Sequence, residues 1–299
     1  MRIGIDLGGT KISIVALDDE GNISFEKRIK TPQNDYRSTI RALRDLVRAA
    51  ETNTGQRGSV GLGMPGSLSP RSGLVQNANS TWLNGQPLKD DLQDALGRDI
   101  RLANDANCFA LSEATDGAAR GHNNVFGVIL GTGCGGGLIQ NKQLINGPRN
   151  ITGEWGHVPL PWATESEHPG PSCWCGQQGC METFVSGPAI SADHMQHSGQ
   201  QYAASELHER ALVGDRQALA SFDRHTSRLA RGLAMVVNIY DPDIIVLGGG
   251  LSQMPHLYKQ LPTSIAPYIF ADDKTVLIVP PIHGDASGVR GAAWLWNKK

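Results

Sequence analysis

Long apolar runs are missing from this chain. In its 299 residues no stretch approaches the ~18 consecutive apolar residues that a membrane-spanning helix needs, so no membrane partner is expected. A basic excess is missing as well. The 27 Lys and Arg stand against 29 Asp and Glu, a formal net charge of −2, and this leaves no electrostatic footprint for nucleic acid. The N-terminus, Met1-Arg2-Ile3-Gly4-Ile5-Asp6, lacks the apolar region and cleavage site of a signal peptide. It reads as a strand with an acidic end, and a cytoplasmic location is expected. Cysteine is scarce, at five residues. With no export signal, clustered cysteines favour metal binding in a reducing compartment over disulfides. The pattern G-x-x-x-x-G-K-[ST] does not occur, which removes the P-loop reading of the glycine turns below.

Glycine, by contrast, is plentiful. Its 36 residues exceed the ~7% of an average protein, and they bunch after apolar runs, where ligand-cradling loops belong. The remaining composition, 39% hydrophobic and 19% charged, is that of a globular protein, and the length suggests about two domains.

Three of the five cysteines fall within eight residues, in Cys173-Trp174-Cys175-Gly176-Gln177-Gln178-Gly179-Cys180-Met181-Glu182. Upstream lies Gly153-Glu154-Trp155-Gly156-His157. Thiolate and imidazole are preferred ligands of Zn²⁺, four in a tetrahedron. The spacing predicts a Cys₃His zinc site of His157, Cys173, Cys175 and Cys180, with free thiols or a disulfide as the alternatives. Glu154 and Glu182 flank it, so the site reads as a clasp fixing two carboxylates.

In chain order, Gly4-Ile5-Asp6-Leu7-Gly8-Gly9-Thr10-Lys11 reads as a strand entering a hairpin. Asp6, beside exposed backbone N–H groups, is placed to hold a hydrated cation and a phosphate. Residues 34–53 form a helix with one apolar stripe of Tyr36, Ile40, Leu43, Val47 and Ala50, stopped by Gly55. Asn77-Ala78-Asn79-Ser80-Thr81-Trp82 is either the wall of a sugar pocket or a solvated loop. Leu88, Leu92 and Leu96 mark a short helix. The strand Ile100–Ala103 ends at Asn104-Asp105, before a helix over 106–119. Asp105 suits both an N-cap and a base beyond a strand's carboxyl end.

The crossing between domains falls in 117–124. Val125–Leu130 then leads into Gly131-Thr132-Gly133-Cys134-Gly135-Gly136-Gly137. This run satisfies G-x-G-x-x-G, but a hairpin pattern follows it and not a helix, so the dinucleotide reading fails. It repeats the first hairpin, and the two would clamp a triphosphate. Helical patterns over 205–213 and 215–240 precede a buried strand, Ile244–Leu247. Gly248-Gly249-Gly250 follows, suited to contact with adenosine or to a strand–turn–helix corner. A strand over 276–279 and a helix over 286–296 close the chain.

Asp6-x-Gly8-Gly9-Thr10-Lys11, Asn104-Asp105, Gly131-Thr132-Gly133, Glu154-x-x-His157, Cys173-x-Cys175-x₄-Cys180-x-Glu182 and Gly248-Gly249-Gly250 occur together in one order. The chain resembles the ROK family of bacterial sugar kinases and related repressors. Within it, the 77–85 loop and the Gly288–Trp294 tail resemble the fructokinase/mannokinase group. The resemblance implies a two-domain actin-like α/β fold, 1–117 and 118–299, closing on ATP and a hexose. A last helix over about 286–299 would pack back on the first domain, and a homodimer is expected. The helix-turn-helix that repressors carry before the first hairpin is expected to be missing. The implied reaction is transfer from Mg²⁺·ATP to a hexose hydroxyl, the 6-OH of fructose or mannose. Glucose, an N-acyl-hexosamine, or sugar sensing without turnover are the alternatives. Asp105 would be the base, and Asp6 would hold Mg²⁺ through water. Residues 4–11, 131–137 and 248–250 would hold the nucleotide. Asn79, Asn104, Glu154, His157 and Glu182 would bind sugar hydroxyls.

Overall fold

β1 (Arg2–Leu7) and β2 (Lys11–Leu17) pair antiparallel, and β3 (Ile23–Lys30) adds to β2. Side chains alternate faces along a strand, and here the two faces differ in kind. Ile3, Ile5 and Leu7 stand opposite Ala16, Ile14 and Ile12, and all six lie in one buried cluster. The other face carries a cross-strand row in which Asp6 stands opposite Ser13 and Ser13 opposite Arg28. α1 (Tyr36–Thr54) starts at Asp35, whose carboxylate caps the Ser38 N–H, and stops at Gly55. Its buried residues, Thr39, Leu43, Leu46, Val47 and Ala50, cover the apolar face. Tyr36 and Ile40 sit at the margin of that cluster.

β4 (Ser59–Met64) runs parallel to β1. β5 (Ser67–Leu68) and β6 (Val75–Gln76) make a separate small ladder. After α2 (Leu88–Leu96), β7 (Ile100–Asn104) joins β4 in parallel, giving the order β3-β2-β1-β4-β7. α3 is shorter than its sequence pattern suggests and runs Asp105–Thr115.

A second sheet repeats this plan. It is built from β8 (Val125–Leu130), β9 (Cys134–Gln140) and β10 (Gln143–Leu144). Then come α4 (Glu182–Val185), α5 (Gly187–Ser198), α6 (Ala204–Leu212) and α7 (Arg216–Tyr240). β11 (Ile244–Gly248) pairs parallel to β8, α8 (Pro255–Ile265) follows, and β12 (Ile278–Val279) pairs parallel to β11. The order is β10-β9-β8-β11-β12. The last strand covers only half of the expected 276–279 segment.

α9 (Ser287–Trp294) returns to β1, β4 and α3. Glycine makes the approach possible. A Cβ on Gly4 would lie 2.0 Å from the Val289 carbonyl oxygen, and one on Gly61 1.9 Å from that of Ala292. Two acids at the C-terminal end of α3, Glu113 in its last turn and Asp116 just past it, hold the returning chain. Glu113 accepts from Ser287 Oγ at 2.7 Å and from the Ile282 N–H at 3.1 Å. Asp116 pairs with Arg290 and accepts from Trp294 Nε1 at 3.0 Å.

This structure is a computed structural model that describes residues 1–296; the last three positions of the expected terminal helix lie outside them. The chain forms two compact units. One holds Met1–Gly121, Gly137–Thr152 and the chain from Ile282, the other His122–Gly136 and Gly153–Pro281. Among the described residues no helix is long and apolar enough to cross a membrane.

Candidate active site

In the first unit the polar face of the sheet ends in two carboxylates. Asp6 closes β1, and burial followed by the charge of Asp105 pushes its pKa up to about 6, with Lys11 and Arg28 pulling it down. Asp105 opens α3. Water reaches it there, but the protein around it desolvates the carboxylate and raises its pKa against hydrogen bonds from the Ala106 N–H and Asn104. Asn104, not Asp105, is the N-cap, since its Oδ1 accepts from the Ala106 N–H at 2.8 Å and its Nδ2 donates to the Gly66 carbonyl at 3.1 Å. Asn104, expected as a sugar contact, also fixes the start of α3 through these two bonds. Two acids short of positive charge suit a cation held near Asp6.

Of the first hairpin, Ile5 and Leu7 are core residues and Gly4 is a packing seam, so these three serve the fold. Gly8 donates its N–H to the Lys11 carbonyl. The Gly8 carbonyl is capped by Thr31 Oγ1 at 2.7 Å and that of Gly9 by Gln33 Nε2 at 2.8 Å. Thr10 and Lys11 are exposed at the tip. Lys11 Nζ lies 3.9 Å from Asp285. Sequence reading missed two neighbours here. Cys108 is fully buried, and its thiol pKa is raised by burial and then by Asp6 and Asp105. Gly288 places the start of α9 against Asp6, for a Cβ there would lie 3.7 Å from the carboxylate. Asn79 is exposed, and Trp82 packs on the apolar cluster with a buried, unpartnered indole N–H.

The second unit holds the thiol cluster. His157, Cys173, Cys175 and Cys180 place their ligand atoms within 4.8 Å of one another, and all five cysteines are free. Cys173 Sγ is 3.6 Å from His157 Nδ1, and Cys175 Sγ 3.7 Å from Cys180 Sγ. Bonds of ~2.3 Å to sulfur and ~2.0 Å to nitrogen in a tetrahedron give edges of about 3.8 and about 3.6 Å. The four donors therefore fit one tetrahedral ion. The loop is folded by short-range backbone bonds, Cys173 N–H to the Gln177 carbonyl and Gly176 N–H to that of Cys173, and by the bridge Pro159–Cys180. Trp155 anchors the Glu154–His157 turn, its Nε1 donating to the Gly135 carbonyl at 3.0 Å.

The second hairpin differs from its expected role at several positions. The Gly131 N–H is donated to the Gly133 carbonyl, and the Gly131 carbonyl accepts from the Gly187 N–H. The Cys134 N–H is donated to Glu182 Oε2 at 2.9 Å. Gly131 and Cys134 thus spend these N–H groups inside the protein, which leaves Thr132 and Gly133 at the tip. Gly135, Gly136 and Gly137 lie in β9, not in a loop. Gly136 faces Phe126 and Trp155, and Gly137 the Ala106 carbonyl. Glu182 is held on both oxygens, since Oε1 accepts from Trp174 Nε1 at 2.8 Å. Burial, then Glu182 and Glu154, raises the Cys134 thiol well above its usual pKa. Gly248 closes β11, and Gly249 takes φ +77° against the Leu130 carbonyl. At Gly250 the space where a side chain would stand is open.

A ROK family profile matches residues 2–299. The chain is 40% identical over 303 residues to the N-acetyl-D-glucosamine kinase of Yersinia enterocolitica serotype O:8 / biotype 1B, covering all of both. Its structure is similar to that of the ROK hexokinase from Thermus thermophilus (TM-score 0.87, 31% identity, 98% of this chain and 96% of that one). It is also similar to a ROK family glucokinase from Streptomyces griseus in complex with glucose and AMPPNP (TM-score 0.79, 27% identity, 98% of each). The repeated meander-and-parallel sheets agree with the structural likenesses, and the chain belongs to the ROK family.

Proposed function

We propose that this chain phosphorylates an N-acylated hexosamine, with N-acetyl-D-glucosamine as the substrate and its 6-hydroxyl as the acceptor. The chain is an ATP-dependent sugar kinase. The choice of sugar rests on one observation, the end-to-end 40% identity to the Yersinia N-acetyl-D-glucosamine kinase. Fructose, favoured by the 77–85 loop and the 288–294 tail, loses its support. In the loop, Asn84 bonds both backbone groups of Ala78. In the tail, a Cβ on Gly291 would collide with the Cys108 carbonyl. These contacts give Asn84 and Gly291 a role in local folding that does not depend on the hexose.

In this reading Asp105 accepts the proton of the sugar hydroxyl as its oxygen attacks the γ-phosphorus and ADP leaves. A carboxylate whose pKa is raised by desolvation is a better base near neutrality than an ordinary one. Asp6 would hold Mg²⁺ through water, and the ion would supply charge neutralisation, which with positioning is most of what phosphoryl transfer requires. Thr10, Lys11, Thr132 and Gly133 at the hairpin tips, with Gly249 and Gly250, are assigned to the nucleotide. Glu154, His157 and Glu182 are assigned to sugar hydroxyls. The metal in the clasp would be zinc, with four protein ligands and a structural role. Free thiols and ATP both suit a cytoplasmic setting.

The test is a coupled assay of purified protein with a panel of N-acetyl-D-glucosamine, N-acetyl-D-mannosamine, glucose, mannose and fructose. The expected result is the highest kcat/KM for N-acetyl-D-glucosamine, by about tenfold or more over glucose, the scale on which pocket contacts separate related substrates. A preference for fructose or glucose would overturn the assignment. Absence of turnover with every sugar would favour a sugar-sensing regulator.

A further inference from the structure

Two of the metal-binding cysteines flank Trp174 directly, and this residue is oddly fixed for one that is 65% exposed. Its ring stands edge-on to His157, with centroids 5.0 Å apart. Its indole N–H donates to Glu182 Oε1 at 2.8 Å. The other oxygen of Glu182 accepts from the Cys134 N–H at 2.9 Å. Cys134 is the first residue of β9, immediately after the Gly131–Gly133 turn. A Cβ on Gly133 would lie 2.7 Å from Glu182 Oε2, so the carboxylate also fills the space under the turn. A few residues on, the Gly187 N–H holds the Gly131 carbonyl at 2.8 Å. Both ends of the turn are thus tied to the segment that leaves the clasp.

We infer that Trp174 is a positioning residue that, through the Glu182 carboxylate, carries the geometry of the metal loop to the tip of the second hairpin. Metal binding fixes Cys173 and Cys175 and hence the indole between them. The indole orients the Glu182 carboxylate, which sets the direction of the Cys134 N–H and the shape of the turn. The clasp and the nucleotide loop lie about forty residues apart in the sequence, which suggests that they act separately. The Glu182 carboxylate joins them by side-chain hydrogen bonds to Trp174 and to the Cys134 N–H. The inference rests on the assignment of that hairpin to the nucleotide. It adds that nucleotide affinity depends on the metal and on one tryptophan that touches neither sugar nor nucleotide.

The experiment compares wild type and Trp174→Phe, both with the metal bound and after chelation. It reads metal content, binding of AMPPNP by calorimetry, and hydrogen exchange of the Cys134 amide. Phenylalanine keeps the edge-on ring and removes only the N–H. The metal-loaded variant should retain full metal content and bind AMPPNP about 5- to 20-fold more weakly, a part of the ~10- to 150-fold that one hydrogen bond to a charged group is worth, since the bond acts on the nucleotide through the turn. Its Cys134 amide should exchange faster, and KM for ATP should rise more than kcat falls. Chelation should weaken AMPPNP binding in wild type and have little further effect in the variant, because the link is already cut. Unchanged affinity and exchange in the metal-loaded variant would overturn the inference, and this arm holds even if chelation unfolds the protein. If metal-loaded wild type itself bound no AMPPNP, the assignment of the hairpin would have failed instead.

Discussion

The two sheets share one strand order, a three-stranded meander followed by two parallel strands, yet they carry opposite electrostatics. The first ends in carboxylates that are poorly compensated. Burial and each other's proximity raise the pKa of Asp6 to about 6. The second unit holds its acids tightly. Burial would raise the pKa of Glu167, but hydrogen bonds from Arg231, the Thr164 N–H and Arg228 outweigh it and hold the group well below the usual range. Asp193 is lowered likewise by Arg224 and Arg228 against its burial. Glu182 has a donor on each oxygen. The same topology thus supports a strained, reactive set in one unit and a satisfied, rigid set in the other. Strain of this kind marks sites of chemistry, and satisfied networks mark scaffolding.

The largest expected effect tests the reactive side. Asp105→Asn should lower kcat by about 10²–10⁴-fold, the usual worth of a general base, with KM for the sugar changed little. Near-normal kcat would remove Asp105 from that role.

On the rigid side, Glu167→Gln should cost about 3–5 kcal/mol, since it leaves Arg231 a buried charge without its charged partner and Arg228 with Asp193 alone. Arg231 is only 4% exposed. Urea unfolding would measure the loss. A variant as stable as wild type would mean that the network contributes nothing. The linkage sign follows from a lowered carboxylate pKa. Its stabilisation is fully present above the unfolded value and disappears as pH falls below about 4.5.

Asp6→Asn should separate stability from function. A carboxylate whose folded pKa is about 6 destabilises the fold once ionised, and the penalty grows as pH rises from the unfolded value toward 6. At pH 7 without Mg²⁺ the variant should therefore be more stable by about 1–3 kcal/mol, while Mg²⁺-dependent turnover is lost. Wild-type kcat/KM should fall as pH drops through about 6. A destabilised or fully active variant contradicts the assignment.

The smallest expected effect is an acid response in the second unit. Burial, more than the Val185 carbonyl can offset, lowers the pKa of His225 to about 4. Stability should therefore fall by about 1–3 kcal/mol as pH drops from 6.5 toward 4, because only the unfolded state takes up the proton. His225→Gln should flatten that part of the profile. An unchanged slope would place the response elsewhere.

Much of this was legible before the structure. The apolar period of α1, the stop at Gly55, the two glycine hairpins and the Cys₃His spacing follow from local chemistry, which sequence displays directly. What sequence concealed depends on contacts far along the chain. That Asn104 also braces the Gly66 carbonyl depends on a segment 38 residues earlier in the chain. Gly136 and Gly137 look like loop glycines until the neighbours of β9 are known. The tail glycines looked like a subgroup signature, and they are the seam where α9 meets β1, β4 and α3. For the Trp174–Glu182 link there was one available hint, a hydrogen-bonding aromatic between two cysteines of the clasp.

The most direct test of the account follows phosphorus. With purified protein, Mg²⁺, ATP and N-acetyl-D-glucosamine, ³¹P NMR should show one new phosphomonoester, N-acetyl-D-glucosamine 6-phosphate, growing in step with ADP, and no signal in the Asp105→Asn sample on the same timescale. ADP accompanied by inorganic phosphate alone, or a phosphoester at another hydroxyl, would contradict it.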